Sequence, residues 1–278
     1  MIDLHLHTTI SDGTWEPQEV VRRAHELGIS TIAITDHERI EGIDPAMTEA
    51  AKYGIEVIPG IEFFAMDNGY ERHMLGYFFD RRDPTLLPFL DDLAAFRDSQ
   101  IEKILGLLEK EHGIHIPFDE ILALSPGGFL GRAHIARALA SGGHIGKTQD
   151  AFTAKFFGYD GLCYLPASQI TPEDVIDVMN RFGGLSVLAH PGYYGEIDIT
   201  EERLAELVSH GLGGLEVMHM RHTPEHMTIL NRWAEKYSLL RTGGSDCHGT
   251  VYDPVKIGTV PVPDEWLGPL REWAADRK

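Results

Sequence analysis

The sequence has only two cysteines, Cys163 and Cys247, which lie far apart and in no Cys-x-x-Cys arrangement. This scarcity argues against a disulfide framework and against a zinc finger, and it favours a reducing compartment. No apolar run approaches the roughly 20 residues that a membrane helix needs. The first seven residues carry polar groups where a signal peptide would be apolar. We therefore expect a cytoplasmic location and no membrane partner.

Basic residues are also scarce, since 24 Lys and Arg stand against 43 Asp and Glu, for a formal net charge of -19. Such a charge opposes attraction to long nucleic acids and to anionic membranes. It does not exclude a small anionic substrate, because a local cluster of metal ions can outweigh distant surface charge. At 278 residues, with ordinary hydrophobic content, the chain can form one large barrel-type domain or two modest ones.

What the sequence does contain is histidine beside carboxylates, near the ends of predicted strands. The residues are His5, His7, Asp12, His37, Glu62, His73, His190, Asp246 and His248. A His-x-His pair on one strand directs two imidazoles to the same point and suits a borderline divalent ion. Each motif alone is weak, because histidines are more often surface or core residues. Their co-occurrence predicts a metal cluster and a metallohydrolase.

Strand and helix patterns alternate through most of the chain. Strands are predicted over residues 2–7, 30–35, 55–58, 74–79, 185–189, 214–219 and 239–242, with helices between most of them. This alternation predicts a parallel α/β architecture. The candidate ligands fall at carboxyl ends of strands, where barrel folds place active sites, except His73, which opens its predicted strand.

The alternation breaks between residues 80 and 167. Helices are predicted there over residues 86–111, 118–124, 132–140 and 149–157, and no strand is predicted. The chain is therefore expected to consist of a first barrel part (residues 1–79), a helical cap insertion (80–167) and a second barrel part (168–278).

Six motifs, read in order, resemble those of the PHP family, the polymerase and histidinol phosphatase domain. They are DLHLHTTISDG, ITDH, PGIE, His73 with the following MLG, LAHPG and GGSDCHG. The resemblance spans nearly the whole chain. It implies a distorted seven-stranded (β/α) barrel with three metal ions at its carboxyl-terminal mouth. The family's usual ion is Mn²⁺, with Fe or Zn also found, and mixed His and carboxylate ligands suit any of these.

The resemblance also implies which residues bind each ion. The first ion would be held by His5, His7, Glu62 and Asp246. Glu62 would bridge to a second ion that also takes His73 and His190. The third would take Asp12, His37 and His248. The expected catalytic residues are Asp12, His37, His190 and His248. Asp3 and Asp36 would either orient imidazoles or be plain strand-end aspartates.

Charge favours one kind of substrate for such a site. Three divalent ions bring six positive charges and three carboxylates return three negative ones, which leaves a strongly positive pocket. A phosphate dianion and the extra charge of its hydrolysis transition state gain more from this pocket than a neutral amide does. The count favours phosphoester hydrolysis.

The predicted insertion contains GRAHIARAL at residues 131–139. Arg132 can bind a phosphate through two nitrogens and His134 can add a donor, although an amphipathic helix with solvated arginines has the same composition. The segment resembles a motif in a PHP branch that includes bacterial 3',5'-nucleotide bisphosphate phosphatases and a 5'-to-3' exoribonuclease. That resemblance implies that Arg132 and His134 contact substrate phosphate. His222, with Arg221, either faces the pocket, where it would bind substrate or protonate the leaving oxygen, or lies in a solvated loop. Glu38 stands where the family often has aspartate.

Our hypothesis from the sequence is a metal-dependent phosphoesterase, in which a hydroxide held between metals attacks the phosphate monoester of a small nucleotide. The favoured substrate is a nucleoside 3',5'-bisphosphate, and no long nucleic acid is expected as a partner. Three alternatives stay open: a 5'-to-3' exoribonuclease acting on short RNA, a histidinol-phosphate-type phosphatase, and a non-catalytic metal-binding domain.

Overall fold

In the computed structural model, which describes residues 1–158, 160–251 and 256–277, seven strands form one sheet in sequential order. They are β1 (Ile2–Leu6), β2 (Thr31–Ile34), β3 (Glu56–Asp67), β4 (Tyr70–Tyr77), β5 (Leu185–Leu188), β6 (Gly214–His219) and β7 (Leu240–Gly244). The N–H of His7 donates to the carbonyl of Cys247 at 3.0 Å, just past β7. The sheet is thus nearly closed into a barrel, which confirms the predicted α/β barrel class.

One part of the predicted topology is wrong, because β4 runs antiparallel to both β3 and β5. Strand β3 continues to Asp67 and turns back through Asn68 and Gly69, whose φ angles are 52° and 87°. Asn-Gly is the preferred pair for a two-residue hairpin turn, and this signal was present in the sequence. Since β4 runs in the opposite direction, its early residue His73 lies at the same end of the sheet as the carboxyl ends of the parallel strands.

The helices around the barrel lie close to their predicted positions. They are α1 (Pro17–Glu26), α2 (Ile43–Ala50), α6 (Pro172–Arg181), α7 (Glu201–His210), α8 (Pro224–Lys236) and the unpredicted α9 (Leu267–Ala275). Proline occupies the first position of α1, α6 and α8, where its missing N–H has no intrahelical partner to lose. The hydroxyls of Thr171, Thr200 and Thr223 accept backbone N–H groups at three helix starts.

Residues 80–167, called the cap segment below, contain α3 (Leu86–His112), α4 (Phe118–Ala123) and α5 (Arg132–Ser141). The helix predicted over 149–157 is wrong. It is reduced to a 3-10 turn at Thr148–Ala151, because Thr and Phe are weak helix formers and the chain turns at Gly158. Among the described residues, no helix, α3 included, is long and apolar enough to cross a membrane.

Helix α3 is shared between two apolar clusters. Leu86 and Leu90, near its start, pack in the large cluster between sheet and helices. Ile101 and Leu108, further along, pack in a separate cluster with α5 residues such as Ile135. The cap segment therefore has a core of its own, joined to the barrel core through α3. The exact boundaries at 79/80 and 167/168 stay predictions.

Candidate metal centre

The nine residues expected to bind metal lie together at one end of the barrel. His5 lies on β1, Glu62 on β3 and His73 on β4, and the others follow β1, β2, β5 or β7 directly. All nine are buried except His73 and His248, which are partly exposed. Parallel strands bring their carboxyl ends to one edge, and the reversed β4 adds His73 there. We call these nine residues the metal pocket.

Glu62 is the centre of the metal pocket. Its Oε2 lies 3.1 Å from Nε2 of both His5 and His7. Its Oε1 lies 2.9 Å from His73 Nδ1 and 3.1 Å from His190 Nε2. Burial alone would raise the pKa of Glu62, but neighbouring imidazoles, His5 first, hold that pKa well below its usual range. A carboxylate with both oxygens among ring nitrogens is suited to bridge two cations.

Three groups of side chains have ligand atoms within 4.8 Å of one another. They are His5, His7, Glu62 and Asp246; His37, Glu62 and His73; and His7, Asp12, His37 and His248. Glu62, His7 and His37 each belong to two groups. The groups therefore form one continuous cluster of imidazole and carboxylate donors, a set that suits borderline divalent ions.

Two ring nitrogens in this cluster suggest a cation rather than a proton. His7 Nε2 lies 3.1 Å from Glu62 Oε2 and 3.2 Å from Asp246 Oδ1, yet it is buried and has no hydrogen bond within the described chain. His37 Nδ1 lies 3.3 Å from Glu62 Oε2 and is likewise buried without a hydrogen bond among the described residues. An unsatisfied buried polar atom is costly, and a metal ion would satisfy both nitrogens and oxygens. The residues present therefore fit a metal.

The backbone at two of these positions is in the left-handed region. His190 has a φ of 23° and Asp246 a φ of 51°. For residues other than glycine this conformation costs on the order of 1–3 kcal/mol and persists only where surrounding structure fixes it. Its occurrence at two pocket residues shows that the loops after β5 and β7 are shaped to direct these side chains.

Sequence reasoning missed Glu216, a fully buried carboxylate on β6. Its Oε1 lies 3.0 Å from Nδ1 of His5, and its Oε2 accepts the backbone N–H of His190 at 2.8 Å. A hydrogen bond at Nδ1 fixes the tautomer that leaves Nε2 free to bind a metal. The available signal was an acidic residue inside the apolar strand GLEVMH.

His219, also on β6, was missed as well. Its Nδ1 accepts the N–H of Arg221 at 3.2 Å, so Nε2 carries the proton and donates to Asp246 Oδ2 at 3.3 Å. This bond occupies one oxygen of Asp246 and leaves Oδ1 facing His5 and His7. His219 thus sets the direction in which Asp246 can bind.

Asp3 and Asp36 act on the backbone and on hydroxyl groups rather than directly on imidazoles. Asp3 accepts the N–H of Ser245 and of Gly258, both at 2.9 Å. Asp36 accepts from both the N–H and the hydroxyl of Thr8, and from the Ser11 hydroxyl, all at 2.7 Å. The prediction that Asp3 and Asp36 orient an imidazole ring by direct contact is therefore wrong. Each carboxylate instead holds a loop that carries pocket residues.

Arg132 and His134 begin helix α5 of the cap segment. Arg132 pairs through Nη2 with Glu71 Oε1, and both side chains are largely buried. His134 Nδ1 accepts the N–H of Gly131 at 3.2 Å, so its Nε2 carries a proton and can donate. Burial lowers the pKa of His134 to about 4, which keeps the ring neutral. Arg137, one turn further, donates to the backbone carbonyl of Asp12.

His222 is buried beneath the loop after β5. Its Nδ1 donates to the carbonyl of Val217 at 2.8 Å, and its ring lies against Gly192, where an added Cβ would come within 3.0 Å. Arg221 places its guanidinium 5.3 Å from the Tyr193 ring. Glu38 forms a buried ion pair with Arg97 of α3.

Comparison with known proteins identifies the family. The model of the PHP domain matches residues 3–152. The chain belongs to the PHP domain family. A crystal structure from Bifidobacterium adolescentis, of a protein assigned as a metal-dependent phosphoesterase, superimposes with a TM-score of 0.87 at 29% identity and covers 98% of this chain and 96% of that one. This PHP protein is a metal-dependent phosphoesterase, a hydrolase.

Curated relatives differ in their substrates. The 5'-3' exoribonuclease Rnm of Salmonella typhimurium is 34% identical over 88% of this chain and 84% of its own length. The phosphoribosyl 1,2-cyclic phosphate 1,2-diphosphodiesterase of Eggerthella lenta is 30% identical over 93% and 96%. The 3',5'-nucleoside bisphosphate phosphatase of Chromobacterium violaceum is 29% identical over 89% and 87%.

Proposed function

We propose that this PHP phosphoesterase hydrolyses a phosphate monoester of a small nucleotide, with a nucleoside 3',5'-bisphosphate as the favoured substrate. The observation that carries the proposal is the position of Arg132 and His134. Both begin α5, the helix whose Arg137 contacts the Asp12 loop of the metal pocket. A phosphate at the pocket can then meet cap donors and metal ions together.

The proposed centre contains three divalent ions, with Mn²⁺ favoured and Fe or Zn also suited to the donors. His5, His7, Glu62 and Asp246 would hold the first ion, Glu62, His73 and His190 the second, and Asp12, His37 and His248 the third. Two groups of close ligand atoms, one with His5, His7, Glu62 and Asp246 and one with Asp12, His37 and His248, support the first and third sets. The contacts of His73 and His190 with Glu62 Oε1 support the second. When bound, such ions supply Lewis acidity toward phosphoryl oxygens and lower the pKa of water.

Charge supports a phosphate dianion as the group bound. Three divalent ions with Asp12, Glu62 and Asp246 would leave a charge of about +3, and the buried carboxylate of Glu216 beside His5 reduces this to about +2. A dianion neutralises that remainder. Asp12, His37, His190 and His248 are the proposed catalytic residues, because the ions that they would hold would position the reacting group.

Two cap residues are proposed to bind phosphate oxygens directly. The neutral His134 has its Nε2–H available as a donor, since Nδ1 is already occupied by Gly131. Arg132 uses Nη2 for Glu71, which leaves the other guanidinium nitrogens for the substrate. The proposed substrate therefore meets one neutral and one charged donor outside the metal pocket. His222 is buried and bonded to the backbone, and its proposed part is to support the loop of His190.

The first test is release of orthophosphate from adenosine 3',5'-bisphosphate by protein reconstituted with Mn²⁺, with a chelator-treated sample as control. We expect release that depends on the metal. A fully metallated protein that releases no orthophosphate would contradict the proposed substrate.

A second candidate is a 5'-to-3' exoribonuclease acting on short RNA, favoured by the 34% identity to Rnm over most of both chains. The net charge of -19 opposes tight binding of long RNA but not of oligomers. The same preparation should be tested on a 5'-phosphorylated RNA of a few nucleotides and on a cyclic phosphate diester. Nucleoside 5'-monophosphates released faster from RNA than orthophosphate from the bisphosphate would make this candidate the better one.

A further inference from the structure

A large aromatic side chain is exposed beside the metal pocket. Tyr194 lies in the loop after β5 that begins with His190, and 80% of its surface is exposed. Such a ring costs free energy in water and gains it when covered by a flat apolar surface. Among the large hydrophobic residues that the structure describes as exposed, Tyr194 is the most exposed.

A chain of ring contacts connects Tyr194 to the pocket. The Tyr193 ring packs against His190 at a centroid distance of 5.2 Å and against His219 at 5.8 Å. Tyr194 meets Tyr193 edge-on at 5.1 Å. Tyr194 therefore lies one ring further out from the pocket than Tyr193.

A series of contacts also connects Tyr194 to the proposed phosphate-binding residue of the cap segment. The His190 ring, which Tyr193 connects to Tyr194, lies 5.0 Å from the His73 ring, and His73 Nε2 lies 4.0 Å from Glu71 Oε1, the partner of Arg132. The Arg132 guanidinium also lies 5.4 Å from the ring of Tyr164. The exposed aromatic ring and the cation that is proposed to hold phosphate are thus both connected to the neighbouring pocket histidines His73 and His190.

The loop holds Tyr194 in place before any ligand binds. The N–H groups of Gly192 and Tyr193 both donate to the carbonyl of His190, at 2.7 and 3.0 Å. Gly192 approaches His222 and His226 so closely that a Cβ there would meet each at 3.0 Å. A fixed loop loses little conformational entropy on binding, which favours a platform over a flexible contact.

We infer that Tyr194 stacks on the nucleobase of the substrate while Arg132 holds its phosphate. The inference rests on the proposed nucleotide substrate and deepens it, since it assigns a site for the base. Every base has a π-face, so stacking would accept different bases without reading their edges. A stacking contact of this kind changes affinity about tenfold or more.

The test compares two substrates in wild-type protein and two variants. The substrates are adenosine 3',5'-bisphosphate and the base-free methyl ribofuranoside 3,5-bisphosphate, and the readout is the ratio of their kcat/KM values. We expect Tyr194→Ala to lower the preference for the nucleotide about tenfold, mainly through KM. Tyr194→Phe should keep the preference, because the ring and not the hydroxyl stacks. An unchanged ratio in Tyr194→Ala would overturn the inference.

A matched control is Tyr53→Ala. Tyr53 follows α2, stacks on His25 at 4.4 Å and precedes β3, at the end of the barrel opposite the pocket. Its loss should lower stability without changing the ratio between the two substrates. A drop in the ratio equal to that of Tyr194→Ala would assign the effect to general loosening and would contradict base stacking.

Failure of the proposed function can be separated from failure of this inference. The Tyr194→Trp variant, compared with wild-type protein, should show fluorescence quenching by adenosine 5'-monophosphate and none by ribose 5-phosphate. If wild-type protein hydrolyses no nucleotide yet this quenching occurs, the base site stands and the proposed reaction is wrong. If hydrolysis occurs without quenching and without a change of ratio, the base site is wrong and the reaction stands.

Discussion

Polar groups of the metal pocket contact one another, whereas those of the cap segment reach across to the barrel. In the pocket, Glu62 alone lies within 3.3 Å of five imidazoles from four separate segments of the chain. The cap segment instead sends out long side chains, of which Arg132 meets Glu71 and Arg137 meets the Asp12 carbonyl. The pocket is a closed network, and the cap contacts are few and separate.

This difference has a chemical consequence. In a closed network of buried groups, the loss of one member leaves several others without partners. A substitution in the pocket should therefore lower activity strongly and also reduce the amount of bound metal. In the cap segment, a substitution should remove only the contact of that one side chain. It should change substrate affinity more than metal content. The different substrates named for the curated relatives are what such a division would produce, because substrate recognition can change independently of a metal pocket.

A buried ion pair links the two regions. Arg97 of α3 and Glu38, just after β2, are each about 1% exposed and pair with one another. Arg97 also donates to the carbonyl of Leu130 at 2.9 Å, and its guanidinium lies 4.2 Å from the Phe129 ring. Removing one partner of such a pair leaves a buried charge and is strongly destabilising. The pair fastens the start of the GRAHIARAL segment to a loop of the pocket.

The largest expected effect is that of Glu62→Gln. Because both oxygens of Glu62 face imidazoles, we expect kcat to fall about a thousandfold and bound metal to fall by at least one ion per chain. Activity and metal analysis by mass spectrometry measure both. The control is Asp67→Asn, at the end of the same strand, where the carboxylate pairs with Arg72 and Arg203. That variant should lose stability and keep its metal, and full metal content in Glu62→Gln would contradict the shared-ligand arrangement.

Next in size is the effect of Glu216→Gln. The carboxylate fixes the His5 ring and the His190 backbone, so its neutral replacement should weaken metal binding about 10- to 100-fold. Titration of activity with Mn²⁺ should show a higher metal requirement and a kcat largely recovered at saturation. A loss of kcat that excess metal does not restore would mean that Glu216 does more than position ligands.

A smaller effect, confined to the substrate, is expected for Arg132→Ala. Loss of a charged donor to phosphate should lower kcat/KM about tenfold through KM, with metal content unchanged. Arg132→Lys should recover only part of the loss, because the ammonium lacks the planar fork. If metal is lost as well, the contrast between pocket and cap segment fails, and if kcat/KM is unchanged, Arg132 serves only its pair with Glu71.

The smallest effect concerns His134 and pH. The pKa of His134 is about 4 in the folded protein, below the ordinary value of about 6.5. Between these two pH values the ring is protonated in the unfolded chain and neutral in the folded protein. Stability is therefore lost as pH falls below about 6.5. Between pH 7 and pH 6 the linkage amounts to about 0.7 kcal/mol. Urea unfolding of His134→Asn, which can still accept the Gly131 N–H, should show a weaker pH dependence by this amount, and an identical dependence would contradict a buried neutral ring.

Much of the barrel follows from local patterns, but the β3–β4 hairpin shows where they are insufficient. Apolar periodicity indicated the start of β3 and the later part of β4, but it did not show that the two strands pair antiparallel, with Phe64 opposite His73. The Asn68-Gly69 turn carried the information, since such a pair reverses the chain within two residues. The helix predicted over 149–157 failed for a related reason, because backbone turns around Gly158 outweigh a weak periodic pattern.

The sequence by itself determined the chemistry available to this protein: imidazoles and carboxylates at strand ends, an Arg-x-His pair at the start of a helix, and a strongly negative net charge. These are properties of residue type and short spacing. The tertiary structure decided which groups meet. It placed Glu62 among five imidazoles, brought Glu216 and His219 behind the pocket, and left Tyr194 exposed in the loop that begins with His190. Such contacts depend on barrel closure and strand register, which bring together residues more than a hundred positions apart in the sequence. A local sequence pattern does not predict which of these residues will meet.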